Sequence, residues 1–74
     1  MDGTFQVAQR IVNAENHFIE LVQEITGCSR EEGAKALTTM SKLKVIKLDV
    51  GVSRYRPIHG VYMDADVLRN AINY

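Results

Sequence analysis

The side chains of this 74-residue chain that could carry chemistry are few and far apart. Cys28 is the single cysteine, so no disulfide can close within the chain and no multi-cysteine metal site can be built. It stands next to Ser29, at an expected helix start, where the helix dipole could lower a thiol pKa. A small side chain tucked into a turn is the commoner use of such a cysteine and is the reading adopted for it. His17 and His59 lie in different segments, and no metal-ligand spacing links either to Cys28 or to a carboxylate. Both are read as surface histidines. The glycines stand singly at 3, 27, 33, 51 and 60, so neither a Walker loop nor a dinucleotide motif can be assembled, and no Ser/His/Asp or paired-carboxylate set replaces them. The sequence therefore points away from catalysis and from a bound cofactor, and towards recognition.

What remains is charge. The formal net charge is zero, but it is unevenly spread. Residues 1–32 hold two basic side chains against six acidic ones, residues 33–63 hold six basic against Asp49 alone, and the tail adds one negative charge. Such segregation decides partners even at a near-neutral pI. The basic set is Lys35, Lys42, Lys44, Lys47, Arg54 and Arg56, with Tyr55 between the two arginines and His59 beyond. If the segment around Lys35 is a helix entering a major groove, Arg30, Lys35, Thr38, Thr39 and Lys42 can reach base edges or phosphates, while Arg54 and Arg56 grip the flanking backbone. Double-stranded DNA is the partner this expects. A solvated basic face with no partner has the same composition.

Positioning such a face requires elements, and the spacing of apolar residues supplies them. From Thr4 to Thr26, Phe5, Val7, Ala8, Ile11, Val12, Phe18, Ile19, Leu21, Val22 and Ile25 fall mostly on one helical stripe. This predicts a helix, continuous or kinked near Asn13 and Asn16, that is the main supplier of the core. Gly27 stops it. Ser29 and Glu32 form a capping box for a second helix through Ser41, with Gly33, Ala36, Leu37 and Met40 inward and Glu31, Lys35, Thr38 and Lys42 outward. At Lys44 the period changes to alternation, which predicts an antiparallel hairpin over residues 44–63 with its turn at Gly51. Pro57 makes the return strand an edge or bulged strand. Asp64 or Asp66 caps a last helix with Val67, Leu68, Ala71 and Ile72 on its buried side. The result is one α+β domain, helix-helix-hairpin-helix, near the lower size limit for a self-sufficient core, so a homodimer would gain burial. The first residues lack a signal-peptide pattern and no apolar run reaches membrane-spanning length, which leads us to expect a soluble, cytoplasmic protein.

Two resemblances follow from these residues. Residues 17–63 resemble a winged helix-turn-helix domain: a helix ending at Thr26 and Gly27, a turn, a helix from Ser29 to Ser41 with Leu37, Met40 and Leu43, then Val45 and Ile46 entering a basic hairpin. That resemblance implies a small DNA-binding regulatory protein, transcriptional or phage-type, that uses the second helix and the hairpin. Residues 19–37 also look like the first two helices of ubiquitin-associated-like domains, and residues 66–72 are similar to their third. This one implies a non-catalytic module that docks on a larger host protein. A contiguous apolar patch beside Gly27 and Cys28 would favour the protein partner.

Overall fold

In the computed structural model, which describes residues 3–58 and 60–74, the chain runs α1 (Gly3–Thr26), α2 (Arg30–Lys42), β1 (Ile46–Asp49), β2 (Arg54–Pro57), α3 (Ala65–Ile72). This is the α+β order of helix, helix, hairpin, helix that the apolar spacing predicts. His59 lies outside the described residues. Helix α1 passes through Asn13 and Asn16 without a break. Among the described residues, no helix is long and apolar enough to cross a membrane.

The corner between α1 and α2 is made by three local devices. Gly27 takes φ 73°, which only glycine adopts without a steric cost, and its N–H donates to the Gln23 carbonyl at 2.8 Å. The Thr26 hydroxyl donates to the Val22 carbonyl at 2.7 Å and accepts from the Cys28 N–H at 3.2 Å. Ser29 then accepts from the Glu32 N–H at 3.1 Å while its own N–H donates to the Glu32 carboxylate at 3.0 Å, the reciprocal capping box. These bonds to Ser29 hold the Glu32 carboxyl below its ordinary value of 4.5.

Helices α1 and α2 cross at Gly33. A Cβ there would sit 3.0 Å from Ile19 Cγ2 and 3.2 Å from the Ile19 carbonyl oxygen, so the absence of a side chain is what allows the approach. Behind this contact Phe18, Val22, Leu37, Met40, Ile46 and Leu68 close the core, with Ala36, Ala71 and Ile72 filling between α2 and α3. Asp64, not Asp66, caps α3, accepting from the Val67 N–H at 2.9 Å.

The hairpin is shorter than the alternation predicts. Helix α2 ends in a Schellman turn: Lys44 takes φ 59°, its N–H donates to the Ser41 carbonyl at 3.1 Å, and the Val45 N–H donates to the Met40 carbonyl at 3.1 Å. Lys44 and Val45 are thereby spent on stopping the helix, and β1 begins at Ile46. Strands pair Ile46 with Pro57, Lys47 with Arg56, Leu48 with Tyr55 and Asp49 with Arg54. The return strand ends at Pro57, since proline has no N–H to continue the ladder; Ile58 closes it by donating to the Val45 carbonyl at 2.9 Å.

The largest departure is in α1. Its buried residues are Ala14, Phe18, Ile19 and Val22, all beyond Asn13. Residues 3–13 extend past the body, with Phe5 64%, Val7 46% and Val12 47% exposed. The periodicity of this half is that of a core helix, but among the described residues only Ile11 is even half-covered there.

Two substitutions test this packing. Phe18→Ala should cost about 3–5 kcal/mol, read as a loss of the urea or thermal transition, because Phe18 is 2% exposed. Gly33→Val should cost about 1–3 kcal/mol in the same measurement, since a backbone oxygen of Ile19 cannot rotate out of the way of a new Cβ.

Candidate nucleic-acid interface

Helix α2 buries Gly33, Ala36, Leu37 and Met40 and so turns Glu31, Lys35, Thr38 and Lys42 outward. Lys35, Thr38 and Lys42, spaced by three and four, form one exposed stripe, and the Thr38 hydroxyl donates back to the Ala34 carbonyl at 3.1 Å. Arg30 and Thr39 do not share this stripe. Arg30 stands on one flank and donates to the Asn16 side-chain oxygen of α1 at 2.6 Å, while Thr39 is half-buried on the other.

On the hairpin, alternation places Lys47, Asp49, Arg54 and Arg56 on the outer face and Ile46, Leu48 and Tyr55 on the inner one. Lys47 lies directly opposite Arg56. Two like charges there would repel, and Asp49 offsets this by meeting Arg56 Nε at 3.1 Å. The pair is solvent-exposed and contributes at most about 1 kcal/mol. Arg54 donates to the Ser53 carbonyl at 2.9 Å, and Lys44 sits exposed at the end of α2. Asp49 was not among the residues expected to shape this face; its place two residues after Lys47 on a strand was the signal for it.

Tyr55 does not belong to the basic face. It points inward, where its ring meets Phe18 edge to face at a centroid distance of 5.8 Å. The parity of the strand decides this: a residue between two outward arginines faces in. Burial, and then the nearby Glu15 carboxylate, push its phenol above the ordinary value of 10.0. His17 is exposed on α1, and Cys28 is half-buried against the core beside a shallow cavity lined by Thr26, Gly27, Glu32, Arg69, Ile72 and Asn73. Among the described residues no group of three or more His, Cys, Asp or Glu side chains could hold a metal.

No family model, curated protein or solved structure matches the chain. The site is therefore argued from its own geometry.

The position of Tyr55 predicts an alkaline dependence. A phenol whose folded pKa is raised favours its neutral form in the fold, so the stabilisation is fully present below about pH 10 and is lost as pH rises through the folded value. Tyr55→Phe keeps the ring contact with Phe18 and removes this titration. Urea unfolding at several values from about pH 9 to 11 should show a shallower loss of stability in the variant than in the parent chain.

Proposed function

We propose that the protein is a small DNA-binding regulator of winged-helix type, in which α2 enters the major groove and the hairpin holds the adjacent backbone. The observation that carries this reading is the state of the basic side chains. Lys35, Lys42, Lys44, Lys47, Arg54 and Arg56 are all exposed, and among the described residues Arg56 alone is ion-paired, with Asp49. Exposed cations on a helix face and an adjoining hairpin are what phosphate contacts use. In this reading Lys35 and Thr38 of the α2 stripe reach base edges, and Lys42, Arg54 and Arg56 meet phosphates. Thr39 and Arg30 flank this contact, and Tyr55 supports the hairpin from beneath.

A second reading, a protein-interaction module, draws on a different place in the fold. Among the described residues, none of the exposed large apolar side chains lines the cavity beside Gly27 and Cys28. An apolar groove of about 190 Å³ does lie between the end of α2 and α3, lined by Met40, Leu43, Val45, Val61, Val67 and Tyr74 among others. A peptide seated there would leave the basic face free.

Four phosphate contacts, from Lys35, Lys42, Arg54 and Arg56, predict a log-log salt slope of roughly −3 to −4 for duplex DNA. Fluorescence anisotropy at several salt concentrations reads it. Arg54→Glu with Arg56→Glu should abolish binding with an unchanged circular-dichroism spectrum, because both side chains are exposed. Asp49→Asn should strengthen binding by releasing Arg56. A chain that binds no mixed-sequence duplex at low salt transfers the preference to the apolar groove and a protein partner.

A further inference from the structure

The outward stripe of α2 has a member that the basic set leaves out. At about 100° per residue, Glu31, Lys35, Thr38 and Lys42 fall within about 60° of one another around the helix, opposite the buried Gly33 and Met40. Glu31 is the first of the four and stands in the first turn. Its two neighbours there are engaged: Arg30 donates to the Asn16 side-chain oxygen of α1 at 2.6 Å, and Glu32 accepts from the Ser29 N–H at 3.0 Å in the capping box. Glu31 is exposed, and its carboxylate makes neither a hydrogen bond nor an ion pair among the described residues, Lys35 one turn on included. An acid in a first turn ordinarily answers the helix dipole. Here Glu32 fills that role and closes the cap as well.

We propose that Glu31 is a specificity-determining residue that selects cytosine in the major groove, an inference that rests on the DNA reading of α2. Helix-turn-helix recognition helices meet base edges with their N-terminal residues. Glu31 shares an arc with Lys35 and Thr38 and lies N-terminal to both, so a pose that brings those two to the bases carries Glu31 into the groove with them. A carboxylate there is acceptor-only, and the phosphates on both walls repel it. Desolvated and unpaired, it would weaken binding to every sequence. A base-edge donor removes that penalty, and the major groove offers two, cytosine N4 and adenine N6.

The two are not equivalent. Adenine sets its N7 acceptor beside N6, so a carboxylate meets a lone pair there, whereas cytosine presents its amino group alone. Guanine O6 and N7 and thymine O4 are acceptors and offer a carboxylate nothing. Cytosine is therefore the base that Glu31 accepts, and rejection of the other three is as much of the selection as the hydrogen bond. Lys35, a donor one turn later on the same arc, suits guanine O6 and N7. The two residues are separated by about 6 Å along the helix against about 3.4 Å per base pair, which puts that guanine within two steps of the cytosine. An acid at the leading end of a basic stripe thus lowers indiscriminate binding and makes affinity conditional on sequence.

Selection from a randomised duplex pool on the full chain, followed by fluorescence anisotropy on the enriched duplex, tests this. The parent pool should fix cytosine at one position. Glu31→Gln should change that position to adenine, whose N6 and N7 pair with an amide, and Glu31→Ala should leave it random. Exchanging that base pair in the enriched duplex should weaken the parent by about tenfold or more and leave Glu31→Ala indifferent. Glu31→Ala should also bind unrelated duplex more tightly than the parent, with one repulsion removed. All three chains should share one circular-dichroism spectrum, because Glu31 is exposed. A parent pool without a fixed cytosine, a cytosine that survives Glu31→Ala, or a pool unchanged by Glu31→Gln overturns the proposal and leaves the DNA reading standing. A parent chain that retains no duplex removes the DNA reading, and this inference with it.

Discussion

The fold hangs on the contact between Ile19 and Gly33. With 3.0 Å and 3.2 Å separating Ile19 atoms from the place a Cβ would take, α1 and α2 meet almost backbone to backbone. That approach fixes the rotation of α2, because burying Gly33, Ala36, Leu37 and Met40 leaves only the opposite stripe for solvent. The outward position of Lys35, Thr38 and Lys42 is thus a consequence of a glycine on the other side of the same helix. The capping box at Ser29 and the left-handed Gly27 serve the same contact by setting the angle at which the chain enters it.

The hairpin depends on α1 as closely as α2 does. A two-stranded ribbon is marginal in water and needs an apolar surface to lean on. Tyr55 against Phe18 and Ile46 in the core provide it. The inner face is then committed to packing and the outer face is left to charge, so that apolar burial and basic charge use alternate residues of the same strands. Asp49 is the exception, an acid on the basic face that pairs with Arg56.

Most of this architecture was legible in the residues, and the failures have local causes. The switch from helical to alternating spacing located the hairpin, and Ser29 with Glu32 located the start of α2. The start of β1 was placed two residues early, at Lys44, because a Schellman turn with lysine at φ 59° has no glycine to announce it. The side taken by Tyr55 could have been read from strand parity, but its position between two arginines drew it into the basic set. The bare half of α1 could not be read at all. Val7 and Ile11 repeat with the same period as Ala14, Phe18 and Val22, and periodicity reports which face is apolar without reporting whether anything covers it.

That bare half has a further physical consequence. An isolated helix of eleven residues does not persist in water, since nucleation is costly and few hydrogen bonds follow it. Residues 3–13 are helical because they propagate from a turn already anchored at Ala14 and Phe18, where nucleation has been supplied by the core. Propagation away from the anchor gains one hydrogen bond per residue, and glutamine, alanine and arginine on this segment favour it. Any surface that covers Val7 and Ile11 adds apolar burial to a helix that is already formed, and so pays little of the ordering entropy that a disordered tail would lose on binding. The overhang is therefore held in helical form from its anchored end, and the anchor is the same Phe18 that supports the hairpin.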